Sequence, residues 1–391
     1  TPKRPKQMIP QYELKAEEIR AFTLNLLKNH VKLDVAGYKC TTEGILDVVL
    51  KASAESSSIE AASNDLQATA DSNTIREYLN AALDIQPLRE QEKEMNAALA
   101  DCIPASMPRK KVEVAIDFHD EPFYGKHPDL REVTCSGQAK KGTTHFIRIA
   151  SAYVIWRQVR LTLALHYVLP DENTLDILKI LLARLEKLDF DKIRVLYLDK
   201  GFASGEVIEY LKARKQPTII ACPIRGKQGG TRALCQGRKS YRTEYTFTDG
   251  TSATLALKAT LVPDKSGKRR RKWLAFIVIE LDWSPEKIHH EYRRRFGIEC
   301  SYRMMRRVRA MTTSRNPAVR FFLLAVGMIL VNAWVFLRWE FARLLAPGLR
   351  RVDETHFRFH RFTRLLIRAI EAVYDVVMAI PASQSPQSVI Y

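Results

Sequence analysis

The spacing of apolar residues changes twice along the chain. Over residues 1–105 it is helical, in Leu14–Lys28, Thr42–Lys51 and Ile59–Leu83. The last segment is broken: Ile59–Gln67 is followed by ATADSN and then Thr74–Leu83, with Ser72 or Asn73 placed to cap the second piece. Two short helices on a tight turn suggest a helix-turn-helix with Ser72–Tyr78 in the recognition position, and an ordinary helical hairpin fits the same pattern. From Val112 the alternation shortens. Strands are predicted over Val112–Phe118, His145–Ser151 and Gln158–Tyr167, the last two as an antiparallel pair, and over Ile193–Leu198 and Thr218–Pro223. Between them, Asn173–Leu188 aligns Leu175, Leu178, Leu182 and Leu185 on one helical face, and Ser204 is placed to cap a helix over Gly205–Lys215. This order predicts an α/β domain built on a mixed sheet.

After Arg225 the pattern changes again. GKQGGTRALCQGRKS is Gly-rich and basic, and a mobile loop is expected there. Strands are predicted at Tyr241–Phe247, Ala253–Leu261 and Trp273–Leu281, with the basic turn DKSGKRRRK between the last two. Helices resume at SPEKIHHEYRRRF, where Ser284 is the cap and Pro285 suits the first turn. The expected organisation is a helical region over 1–105, a catalytic-type α/β domain over 106–225 and 284–345, a β-rich insertion over 226–283, and a C-terminal helical region and tail over 346–391. The final ASQSPQSVIY is expected to be disordered. Phe321–Leu337 carries no charge over 17 residues, the short limit for crossing a bilayer. Asn332 interrupts it, and Arg320, Arg338 and Glu340 flank it, so a buried core helix is expected there and no membrane partner.

Composition narrows the partner. The 391 residues carry a net charge of +18 and a pI of about 9.6, which favours a polyanion such as nucleic acid. Residues 1–100 hold 12 Lys/Arg against 15 Asp/Glu, so the positive excess belongs to the later part. Six cysteines without C-x-x-C spacing exclude a zinc pattern and do not suggest a disulfide scaffold, so a reducing, cytosolic setting is expected. TPKRPKQMIP lacks the apolar core of a signal peptide.

The candidate chemistry lies in Glu291–Pro317, EYRRRFGIECSYRMMRRVRAMTTSRNP. Glu299 sits there among Arg293, Arg294, Arg295, Arg303, Arg306, Arg307 and Arg309. A carboxylate holding a metal ion beside phosphates suits that setting. Asp117 lies in or just after the first buried strand, and Asp199 ends the fourth, where α/β sheets commonly bind ligands. Three clustered carboxylates repel unless divalent cations join them, and all-oxygen ligands suit two Mg²⁺ or Mn²⁺ ions. Each residue also has a plain reading: Asp117 as a strand terminus, Asp199 as a turn cap, Glu299 as a partner of Arg295 or Arg303. His119, Asp120 and Glu121 are either metal neighbours or loop residues; His119 and His127 make no zinc set. Lys268, Arg269, Arg270, Arg271 and Lys272 form either a solvated hairpin tip or a DNA-backbone contact.

Together these residues resemble the DDE transposases of bacterial and archaeal insertion sequences, in particular the group with the Y-(2)-R-(3)-E-(6)-K signature. Tyr292, Arg295 and Glu299 match its spacing, with Arg306 where Lys is usual. Asp199-Lys200-Gly201-Phe202 matches the D-x-G-(F/Y) motif, and the first aspartate falls on Asp117. The resemblance covers roughly 110–345 and implies an RNase H-like fold with a β-strand insertion before the glutamate helix. It implies Asp117, Asp199 and Glu299 as catalytic metal ligands for two Mg²⁺ or Mn²⁺ ions, and Tyr292, Arg295 and Arg306, with Arg294 and Arg303, as DNA binders. It also implies cleavage and strand transfer at element ends by a homodimer on double-stranded DNA, in the cytoplasm at the nucleoid. Trp273 or Trp283 is a candidate for stacking a flipped base, or a core residue. Two other functions fit the pattern: a non-catalytic DNA-binding derivative, and a nuclease of the same fold without strand transfer. The intact carboxylates favour catalysis over binding alone.

Overall fold

The computed structural model describes residues 13–379 except 34, 36–39, 85–86, 127, 227–228, 265–266 and 343–350. His127, the N-terminal TPKRPKQMIP and the ASQSPQSVIY tail lie outside the described residues.

Five helices come first: α1 (Ala16–Lys28), α2 (Thr42–Glu55), α3 (Ile59–Asn64), α4 (Ser72–Ala82) and α5 (Leu88–Ala100). The break expected after Ile59 separates α3 from α4. The cap of α4 is Asp71, not Ser72 or Asn73: its carboxylate accepts from the Asn73 and Thr74 amides at 2.9 and 3.2 Å. An anion at a helix N-terminus also meets the positive end of the helix dipole. The helix α5 is an addition to the three segments read from the pattern.

The strands are β1 (Val112–Pro122), β2 (Cys135–Lys140), β3 (Thr143–Trp156) and β4 (Val159–Val168). After α6 (Thr174–Lys187) come β5 (Ile193–Leu198), α7 (Gly205–Ala213) and β6 (Thr218–Cys222), then β7 (Tyr241–Thr246), β8 (Ser252–Pro263) and β9 (Arg269–Ile279). All nine strands join one mixed sheet in the order β2-β3-β1-β5-β6-β9-β8-β7, with β4 also on β3. β1, β5 and β6 are parallel neighbours. The expected inserted strands are present, and β9 pairs with β6, so the sheet runs on through them without a break. Part of the Gly-rich segment is tied down: buried Thr231 donates to the Pro223 carbonyl at 2.9 Å and accepts from the Arg225 amide at 2.8 Å.

Long runs of β1, β3, β4 and β5 are buried without alternation, as expected where helices cover both faces. The last helices are α8 (Pro285–Tyr292), α9 (Phe296–Met305), α10 (Pro317–Phe341) and α11 (Phe359–Tyr374). This architecture is an RNase H-like α/β fold preceded by helices.

The apolar run expected as a core helix is α10, which is long and apolar enough to cross a membrane and is buried against β4, α5 and α9. Its one polar interruption has a task. Asn332, 1 % exposed, accepts from the Thr162 amide at 3.1 Å and donates to the Thr162 carbonyl at 2.7 Å. Thr162 adjoins a bulge, because the β3–β4 register jumps from Ala152↔Ala164 to Tyr153↔Thr162. A bulge disrupts the ladder locally, and Asn332 takes up the backbone groups beside it. Replacing Asn332 by Leu leaves both groups buried and unpaired. The expected loss is about 2–4 kcal/mol, read from urea unfolding; an unchanged midpoint would show that Asn332 carries no such load.

Candidate active site

The β1–β5 register builds the site. Ile116 pairs with Leu198, so Asp117 and Asp199 are the next residues on two adjacent parallel strands. Asp199 leads into a short 3-10 turn, Lys200–Phe202, where the Phe202 amide donates to the Asp199 carbonyl at 3.0 Å. Buried Phe202 stacks on Phe118 at 4.8 Å between centroids, which holds the two strand ends together. A Cβ on Gly201 would meet the Phe118 ring at 3.7 Å, an ordinary contact, so space alone does not demand glycine there.

The third carboxylate is tied to the first by a guanidinium. Arg295 donates from Nη1 to Asp117 Oδ2 at 2.8 Å and from Nη2 to Glu299 Oε1 at 2.9 Å. It is 7 % exposed, packs against the Tyr292 and Phe296 rings, and leaves its Nε without a hydrogen bond. Burial pushes the Asp117 carboxyl up to about 6; Arg295 pulls it down, and neighbouring Asp199 pushes it up again. Arg295 is itself raised: its carboxylate neighbours and Tyr292 outweigh the burial that opposes them.

The run expected to share one face is not a continuous α-helix. A 3-10 turn at Arg293–Arg295 separates α8 from α9. Three residues per turn instead of 3.6 rotate the face by about 20° per residue. Tyr292 ends α8 on its buried face with Pro285 and Ile288, and donates to the carbonyl of Leu198, the residue before Asp199, at 3.0 Å. Arg294 pairs with Glu113 at 2.8 Å and Glu291 at 3.7 Å. Glu113 lies four strand residues from Asp117, about 13 Å away. Arg303 and Arg306 are exposed and line a cleft of about 370 Å³ with Asp117, Glu299 and Lys140.

His119, Asp120 and Glu121 are strand residues, because β1 continues to Pro122 by pairing with β3. Asp120 is held by Arg148 at 2.7 Å and Glu121 by Arg309 at 2.7 Å, so both carboxylates are committed to cations. His119 is buried against Tyr302, and its Nε2 lacks a hydrogen bond. Burial pushes its imidazole down, against the pull of Glu121. Tyr302 carries no mark in the sequence pattern. Its hydroxyl donates to the Asp117 carbonyl at 3.2 Å and pairs with Ser151 Oγ at 2.6 Å, fixing the strand at the aspartate. Its place three residues after Glu299, on the same face of α9, was the available signal.

Of the tryptophans, Trp273 packs edge-on to Tyr241, and Trp283 lies under Lys287 at 4.2 Å. Arg270 pairs with Asp264, while Arg271 donates to the Gly237 carbonyl. The described groups of three close ligand side chains reduce to Glu55, Asp65 and Glu371, which surround buried Lys51.

Carboxylates on and just after adjacent strands of such a sheet, with a third on a helix across them, are the kind of arrangement found in metal-dependent nucleases. Residues 109–332 match the family described as "Transposase DDE domain", and the chain belongs to that family. A search of curated proteins finds no match. Membership implies transposase activity, DNA binding and divalent-metal use in general terms. The donor set fits: the carboxylates are hard oxygen ligands, and Asp117, half-buried beside Asp199, is held by a single guanidinium.

Because Asp117 holds its proton more tightly folded than unfolded, it contributes stability at low pH that is lost as pH rises from about 4 through 6. Arg295→Gln removes the cation that lowers this midpoint, so the loss should extend above pH 6. Urea unfolding of both proteins between pH 4 and 8 tests this, and difference curves flat above pH 6 would show that Arg295 does not hold Asp117.

Proposed function

We propose that the protein is a transposase of the Y-(2)-R-(3)-E-(6)-K group that cuts and rejoins DNA at the ends of a mobile element. The register that sets Asp117 beside Asp199, with Glu299 joined to them through Arg295, carries this reading. Asp117, Asp199 and Glu299 would hold two Mg²⁺ or Mn²⁺ ions. When bound, the ions activate the attacking oxygen and stabilise the leaving one.

The chain's own residues do the positioning. Tyr302 fixes the backbone at Asp117, and Tyr292 fixes the carbonyl before Asp199. Arg303 and Arg306 line the cleft as exposed cations and hold the phosphodiester. Arg306 supplies a planar guanidinium where the signature has an ammonium, and so favours a two-point grip on phosphate. Arg294, engaged with Glu113 and Glu291, supports the helix junction and keeps a half-exposed edge for DNA. In the first step a water oxygen bonds to phosphorus at the element end and a 3′-hydroxyl leaves. In the second that 3′-oxygen bonds to phosphorus in the target, and the target's 3′-oxygen leaves. Two ends must be handled together, so the working form is a homodimer on double-stranded DNA at the nucleoid.

Asp117→Asn, Asp199→Asn and Glu299→Gln should each reduce Mg²⁺-dependent cleavage of element-end DNA by more than about a hundredfold while duplex binding persists. Undiminished cleavage in any one removes that residue from the site. Hydrolysis without joined products from the unaltered protein would favour a nuclease lacking strand transfer. Mn²⁺ should raise the thermal midpoint of the unaltered protein at pH 8, and this gain should shrink below pH 6 as Asp117 takes up its proton. A gain independent of pH would place the ion elsewhere.

A further inference from the structure

α11 adds unpaired positive charge to a helical lobe whose first hundred residues carry more acid than base. The helix packs on α1 and α2, far along the chain from its own neighbours. Phe362, Leu366, Ala369 and Ile370 form its buried face. Its acid, Glu371, turns inward to Lys51 at 2.9 Å, and Tyr374 donates to Asp47 at 2.9 Å. Backbone bonds from the Gln67 and Ala68 amides to Asp375 and Tyr374 join its end to the turn before α4.

The opposite face carries Arg358, Arg361, Arg364 and Arg368, all exposed. Their spacing of three, three and four places them in one stripe. None forms an ion pair or side-chain hydrogen bond among the described residues. Elsewhere in the lobe the arginines are engaged: Arg20 with Asp47, Arg89 with Glu92 and Glu172, and Arg76, the cation of α4, with Ser72, Asn73 and Glu60. A recess of about 660 Å³ runs along the stripe, bordered also by His356, His360 and Glu13.

We infer that this stripe is a second DNA-backbone contact, separate from the catalytic cleft. The inference rests on the reading of DNA as the partner. From Arg358 to Arg368 the helix rises about 15 Å, the rise of four to five nucleotides of one strand. Unpaired guanidiniums match phosphate oxygens in geometry as well as in sign. Anionic lipid is the other partner that a basic amphipathic helix can serve, but the apolar face it would insert is buried here against α1 and α2. The lobe therefore grips DNA through the helix that closes it, and the acidic N-terminal helices serve as its support.

The test is the salt dependence of binding to a 40-base-pair random-sequence duplex. The full chain is compared with the triple variant Arg361→Gln, Arg364→Gln, Arg368→Gln, and with a charge-matched control, Lys187→Gln, Lys192→Gln, Lys215→Gln, at exposed positions around α6 and α7. The arginine variant should lose about two to three units of logarithmic salt slope while the control changes by less than one. Cleavage of single-stranded DNA, which needs only the catalytic cleft, should persist in the arginine variant and show that it folds. Equal slopes in the arginine variant and the unaltered protein overturn the inference, and so does an equal fall in the control. Loss of binding to anionic vesicles with duplex binding intact would assign the stripe to lipid. Failure of the unaltered protein to bind any duplex would overturn the DNA reading itself, and the stripe with it.

Discussion

Two carboxylates side by side on adjacent parallel strands repel each other, and one buried guanidinium lets the fold keep them there. Arg295 reaches Asp117 and Glu299 at hydrogen-bond distance and lies within electrostatic reach of Asp199. Much of the surrounding structure serves that contact. The 3-10 turn swings Arg295 inward, Tyr292 and Phe296 flank its plane, and Tyr302 and Ser151 pin the strand that presents Asp117. Burial makes the arrangement strong and also costly. Burial and the neighbouring Asp199 raise the Asp117 carboxyl to about 6 even with Arg295 beside it.

The strands and the aspartates were readable because their signals are local. β-branched runs such as VEVAIDF and IRVLYL announce buried strands, and an aspartate within the first and just after the second announces a site. Strand β2, with the sequence CSGQAK, has no such pattern and exists because β3 offers it an edge. Helix α5 hid behind its charges: Glu92 is 1 % exposed and satisfied by His166, Arg184 and the Tyr167 amide, partners that lie 74 or more residues away.

The arginine-rich run was legible as chemistry and not as geometry. Spacing placed Tyr292, Arg295, Glu299 and Arg306 together on the assumption of uniform helix. Tyr292, Arg295 and Glu299 do adjoin, with Arg295 on the Tyr292 ring, but the change of pitch after Tyr292 sends Arg294 to Glu113. Arg295 itself was read as a phosphate binder. That it bridges two carboxylates, one of them 178 residues away, is a long-range fact that no local pattern encodes.

The return of α11 to the first helices has a consequence for how the molecule is made. Lys51 and Glu371 are 320 residues apart, and α11 is synthesised after every other described element. The sheet and its carboxylates can assemble while the chain is still growing. The helical lobe must wait for its last piece, so the loop joining its two ends is the longest and slowest to close. A nascent chain thus gains the sheet and its carboxylates before it gains a closed helical lobe, and the order of synthesis keeps the two out of step until α11 has been made.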